Sequence, residues 1–269
     1  MDVDDARYAN AVIMPRVLNK SGLVSKSGDI IHLTYKLRYT VGDVTAATGA
    51  FTPQTITPTS VAVTVDQWRQ VAIETVDRAT AQSFWDPESD FPKDAGRAMA
   101  EDYDDKIADL YSNLTSNVVG DVTNPGIFDD IQMLEAMLKL ADRNIPKDSL
   151  SFILPPVAFY RGICTKPAFR DADKTGLPKS VLTTNFRLPL LGIPAYESTL
   201  LNTSGNELAK AAFLIHKHTF AIGMQKNNEI KRAEGTAAGK LSYIMVLNSL
   251  YGVTTFREDH GALIYIRVS

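Results

Sequence analysis

The side chains best suited to chemistry in this chain are four histidines, one cysteine and two adjacent aspartate pairs. His216 and His218 stand two apart, and on a strand that spacing puts both imidazoles on one face, within reach of one metal ion. A catalytic zinc generally takes three protein ligands. The only nearby group, Glu258, Asp259 and His260, offers no ligand spacing that completes a site. The histidine pair therefore reads as polar residues at a strand edge. Cys164, in GICTKP, has neither an adjacent histidine nor the context of a nucleophile, and reads as a buried structural thiol. Asp104-Asp105 and Asp129-Asp130 could suggest acid–base carboxylates, but neighbours on a helix point about 100° apart and cannot flank one bond. They read as solvated helix faces. No phosphate loop, dinucleotide fingerprint, HExxH or GxSxG elbow occurs. The expectation is a chain that is not an enzyme, with no catalytic residue, no cofactor and no metal.

Bulk properties narrow the class further. With 269 residues, 45% hydrophobic and 22% charged, the chain has enough apolar material for one large or two modest domains. A net charge of −3 and the absence of any basic run argue against strong, sequence-independent nucleic-acid binding. Any DNA contact is expected to be weak and confined to residues such as Arg97, Lys106 or the basic residues near the N-terminus. One cysteine makes no internal disulfide and no zinc finger. The N-terminal MDVDDARYANAV lacks the regions of a signal peptide, and no apolar run reaches the 18 or so residues that span a bilayer. A cytoplasmic origin is expected.

The elements that must position these side chains centre on residues 90–114. Phe91, Ala95, Met99, Tyr103, Ile107, Leu110 or Tyr111 and Leu114 recur every three or four positions, which predicts one long amphipathic helix with an apolar stripe. Asp90 is placed to cap it and Pro92 to sit in its first turn. At 1.5 Å per residue it is roughly 37 Å long, a strut across the back of a domain. Residues 1–28 read as an arm. From Asp29 to Tyr39 the pattern alternates strictly, with Ile31, Leu33, Tyr35, Leu37 and Tyr39 on one side, which predicts a half-buried strand. A Thr-, Gly- and Pro-rich stretch, 40–60, and a second alternating run through Val76 make 29–76 a long hairpin with a returning strand. Such a hairpin is marginal alone in water and predicts a partner subunit. Asp77 caps a short helix through Trp85. Ile127, Ile131, Leu134, Leu138 and Ala141 mark a further helix ending before Pro146. Strands at 151–156, 192–199, 211–217, 220–224, 229–232, 241–256 and 262–268 surround a loop at 165–189.

The order arm, hairpin, strut, α/β insertion and returning strands resembles the tailed-bacteriophage major capsid proteins of the Hong Kong 97 fold. The phrases that carry the resemblance are GDIIHLTY, FTPQTITPTSVAVTVDQWRQVAIETVD, MAEDYDDKIADLYSNL, NIPKDSLSFILPP, LLGIPAYEST, HKHTFAIGMQ and NSLYGVTTFREDHGALIYIRV. They cover nearly the whole chain. The resemblance implies an α+β capsid fold with an N-terminal arm (1–28), an extension-loop hairpin with its returning strand (29–76), and a peripheral domain (77–119) with a spine helix (90–114). It further implies an axial domain (120–215) and a return to the peripheral domain (216–269). By the same resemblance the chain self-assembles as hexamers and pentamers into an icosahedral virion shell around a double-stranded DNA genome, in a bacterial host cytoplasm. Portal, and scaffold or decoration proteins, are its expected partners. Inter-subunit contacts are expected at Tyr35, Lys36, Val44, Phe51 and Ile56 of the hairpin. Two other expectations stay open: a phage structural protein forming rings or tubes, and a small-ligand α/β enzyme.

Overall fold

Two long strands at the C-terminal end organise one half of the molecule in the computed structural model, which describes residues 11–23, 30–35, 39–44, 49, 51–55, 57–76, 87–167, 189–201, 203, 208–234 and 242–268. β9 (Phe220–Glu234) and β10 (Ser242–Thr255) pair antiparallel, with register shifts between Asn248 and Tyr251. β10 pairs on its other side with β4 (Gln67–Val76), and β1 (Leu18–Asn19) adds to β9 in parallel, giving the order β1-β9-β10-β4. β2 (Ile30–Tyr35) and β3 (Thr59–Thr64) form a separate two-stranded hairpin. The expected single hairpin over 29–76 is therefore divided: β3 returns along β2, and β4 leaves for the sheet, where β10 supplies the partner that a free ribbon lacks. The root of the hairpin crosses β10 at Gly252, where a Cβ would collide with the Thr64 carbonyl oxygen, so only glycine permits the approach.

α1 (Pro87–Ala108) lies against β4 and β10 and continues as a 3-10 turn through Asn113. Its start differs from expectation. Pro87 occupies the first helical position, where its fixed φ suits a helix start, so Asp90 and Pro92 fall inside the helix. The expected stripe is otherwise realised, with Phe91, Ala95, Met99, Tyr103, Ile107, Tyr111 and Leu114 all buried. Tyr103 packs edge-on to Tyr251 at 4.6 Å between ring centroids and hydrogen-bonds Ser249 at 2.6 Å. The Tyr251 hydroxyl donates to Asp102 at 2.6 Å, and burial is the main cause that pushes its own ionisation far up.

Residues 11–17, expected within an arm, contribute to the core. Ala11, Ile13, Met14 and Val17 are buried beside α1. The backbone N–H groups of Val12, Ile13 and Met14 donate to the Asp104 carboxylate at 2.5, 3.0 and 2.8 Å. Asp104, read from sequence as part of a solvated face, is 2% exposed. A signal for this was present. Ala100, Asp104 and Ala108 fall at i, i+4 and i+8, a second narrow row beside the stripe, and both alanines are buried.

The other half is a five-stranded sheet, β5-β11-β8-β6-β7, built from Val118–Val119, Gly261–Arg267, Ala209–His216, Leu150–Leu154 and Ala195–Glu197, with α2 (Asp130–Asp142) packed on it. Alternation along its strands covers both faces: Phe213, Ile215, Ile153 and Leu263 join the core under α1, whereas Leu214, Phe152, Leu154, Ile264 and Ile266 join a second core under α2. β11 ends in this sheet, so the C-terminal strands do not all return to the α1 half as expected. The reason lies in ALIYIR, a strand apolar on both faces, which the doubly covered sheet buries and a one-sided sheet could not. The run 220–232 is one strand rather than two, and 158–162 is a π-type turn. Asp129 caps α2 by accepting from the Gln132 N–H at 3.1 Å. The expected inner stripe of α2 points outward. Met133, Ala136 and Leu140 are buried, while Ile127, Ile131, Leu134 and Leu138 are exposed. Both rows repeat at helical spacing, and periodicity alone selects the wrong one. The expectations for Lys36, Leu37, Ile56 and the helix over 77–85 lie outside the described residues.

Candidate functional site

The hairpin is apolar where it meets its own subunit and apolar again where it meets nothing. At its base Ile31, Leu33 and Val63 are buried against Ala221 and Phe256, while His32 and Thr34 face out, as strict alternation requires. Tyr35 packs edge-on to Phe256 at 5.5 Å with the Arg257 guanidinium 4.9 Å from its ring, which helps seat the hairpin on its own chain. Beyond Tyr35 no described residue is in a strand until Thr59. There Tyr39, Val41, Val44 and Phe51 are 68, 102, 61 and 71% exposed. Gln54 ties the two arms together, donating to the Thr40 carbonyl at 3.0 Å. Val44 and Phe51 are thus exposed, whereas Tyr35 is half-buried at the hairpin base.

All four histidines of the chain gather around the hairpin base. His216 and His218 stack at 5.2 Å between centroids, and His260 meets His216 edge-on at 5.6 Å. His218 and His32 line an open pocket with Lys20, Tyr35, Phe256 and Arg257. Strand spacing foresaw the first pair, and the fold adds His260. Even so, among the described residues no group of three His, Cys, Asp or Glu side chains is arranged to hold a metal ion. His216 Nδ1 instead accepts from the His218 N–H at 3.2 Å. Burial is the first cause that pushes His216, His218 and His260 below the ordinary histidine range, and neighbouring positive charge, notably Arg257, acts with it. Asp259 beside His260 and Asp148 near His216 oppose the shift.

The sign follows directly. A histidine whose folded pKa lies below its unfolded value of 6.5 takes up protons more readily in the unfolded chain, so stability is full above that value and falls as pH drops through the folded pKa. Lys20, Lys217 and Arg257 add repulsion once the rings are charged, and only Asp148 and Asp259 answer it. The expected outcome is a thermal midpoint that declines between about pH 7 and 5, less steeply in His218→Asn. A midpoint flat over that range in the parent chain would refute the neutral cluster.

The remaining candidates stay apart. Cys164 is half-buried and its thiol is pushed up by burial, the opposite of an activated nucleophile. Asp105 pairs with Lys106 at 3.4 Å, which also meets Asp109 at 3.1 Å. Asp129 and Asp130 lie 3.8 and 3.9 Å from Lys166. None of these faces a shared cleft with a second reactive group. Among the described residues no helix is long and apolar enough to cross a membrane.

No family model matches the sequence, and no curated protein does. Solved structures match over nearly the whole chain. One from Mycobacterium phage Che8 has a TM-score of 0.75 at 19% identity, covering 94% of this chain and 90% of that one. The capsid structure of cyanophage P-SCSP1u gives a TM-score of 0.76 at 13% identity, covering 96% and 89%. The chain has the phage capsid fold. The mature capsid of bacteriophage PhiM1 is similar again, with a TM-score of 0.71 at 12% identity over 97% of this chain and 88% of that one. Among the described residues, the hairpin tip and the outward row beside α2 each expose several large apolar side chains.

Proposed function

We propose that this chain is the major capsid protein of a tailed phage, which self-assembles as pentamers and hexamers into the icosahedral head shell. The observation that carries this reading is the projecting hairpin with an apolar, uncovered tip, on a chain with the phage capsid fold. Val44 and Phe51, with Lys36 and Ile56 from the same stretch, make the contact to a neighbouring subunit. A two-stranded ribbon offering unpaired backbone groups gains most by lying across a neighbour, and a closed shell repeats that modest contact many times. The part played by each segment follows: residues 90–114 form the spine, 120–215 the axial region around the symmetry axes, and 29–76 the extension loop with its return strand. Portal protein, and scaffold or decoration proteins, are the expected further partners, and the site of action is the virion after assembly in the host cytoplasm. With a net charge of −3, contact with packaged DNA is weak and non-specific. Among the described residues, nothing in the arrangement of side chains requires catalysis.

Negative-stain electron microscopy of the expressed chain distinguishes this from its rivals. Closed shells of narrow diameter are expected. Rings or tubes would favour another phage structural role, and dispersed 29.5 kDa monomers at all concentrations would contradict assembly altogether.

A further inference from the structure

Four basic side chains from four separate parts of the chain converge at the hairpin base. Lys20 follows β1, His32 stands on β2, His218 sits in the turn between β8 and β9, and Arg257 lies just past β10, and all four line one open pocket of about 430 Å³. No acidic residue is among the described residues that line it. Three of the four are fixed through their backbones. The N–H groups of Lys20 and Arg257 donate to the carbonyls of Ile222 and Thr219 at 2.9 and 3.1 Å, and that of His218 to His216 Nδ1 at 3.2 Å.

Basic groups gathered on one wall repel one another once charged, unless something answers them. Among the described residues little does. Lys217 beside His218 adds positive charge, His216 stacks on the same ring with His260 behind, and Asp259 alone approaches, 3.4 Å from Arg257 Nη2. Lys20 meets no carboxylate, and Arg257 Nε is buried with no hydrogen-bond partner. Buried donors are nearly always satisfied, so an orphan of this kind calls for a partner from outside the chain.

The donors define that partner. They come from four elements rather than one plane, and lysine and arginine are cations at neutral pH, which suits a tetrahedral, multiply charged oxyanion better than a flat, singly charged carboxylate. We propose that this pocket binds a phosphate group between Lys20, His218 and Arg257 on the sheet side and His32 on the hairpin. Held there, phosphate ties β2 to the strands beneath it and secures the seat of the hairpin. The site stands on the hairpin base alone and does not need the self-assembly reading.

Calorimetric titration of the full chain with inorganic phosphate, at constant ionic strength set by chloride, tests the site, with thermal midpoints measured for every variant. One saturable site per chain is expected, and phosphate should raise the parent midpoint. Lys20→Gln is expected to weaken binding at least about tenfold, as loss of a charged donor implies. Lys217→Gln removes the same charge from a neighbour outside the pocket lining and should keep affinity within about twofold. Equal weakening by the two variants would mean diffuse attraction and overturn the proposal, as would the absence of saturable binding by the parent. If Lys20→Gln fails to fold, His218→Asn decides in its place by the same comparison. Competition by an oligonucleotide that carries only phosphodiester groups then assigns the source. Displacement points to the packaged strand and no displacement to free phosphate or a phosphomonoester, and either result upholds the phosphate site.

Discussion

Ile107→Asp is expected to leave no folded subunit to assemble. Ile107 is 0% exposed at the C-terminal end of α1, among residues of the core shared by both sheets. An aspartate there cannot reach water without tearing the helix from β10, and nothing described around the site is placed to pair it. Burying an unpaired carboxylate is among the few single changes that cost about 4 kcal/mol or more, against a total stability of about 5–15 kcal/mol. Urea denaturation checks it: the variant should be insoluble or unfolded without denaturant, whereas Ile107→Val should lose only about 1 kcal/mol. A cooperative transition close to that of the parent would remove α1 from the centre of the fold.

The second large effect separates two adjacent aspartates. Asp104→Ala deletes the acceptor for three backbone N–H groups, two of them buried, and leaves the N–H groups of Val12, Ile13 and Met14 without it. Burial raises the Asp104 pKa, with the three N–H groups and Arg16 acting against it, so removing the carboxylate relieves some desolvation. That relief is smaller than the loss. Each buried donor left unsatisfied costs about 1–3 kcal/mol, so a net destabilisation of about 3 kcal/mol is expected. Asp105→Ala, which removes only a solvent-facing pair with Lys106, should stay within about 0.5 kcal/mol. Equal effects from the two variants would contradict the clamp, as would retention by Asp104→Ala of the parent protease resistance near Pro15.

These two aspartates also show what sequence could and could not reveal. Strong single periods were legible: the α1 stripe, the alternation from Ile30 to Tyr35, and the strands of FIL, AAFLI and ALIYIR all appear where their apolar spacing puts them. Pairing partners were not. Whether β4 stays with β3 or joins β10, and whether β11 returns to one sheet or the other, depends on contacts between segments far apart in sequence that no local pattern encodes. Burial of polar groups was hidden for the same reason, since Asp104 is buried only because an N-terminal turn brings it three donors. On α2 two apolar rows competed, and the one with larger side chains turned outward. At the hairpin, the composition of the tip was informative because so few side chains there could serve a core.

On the reading proposed here the hairpin tip works between subunits and not within one. Replacing residues 43–56 by an Asn-Gly turn removes Val44 and Phe51 and leaves the base, with Ile31, Leu33 and Val63 buried, in place. The predicted result is a soluble subunit with near-parental circular dichroism and thermal midpoint that forms no closed shells in the microscope under conditions where the parent chain does. Normal shells from the tip-replaced chain would contradict the account.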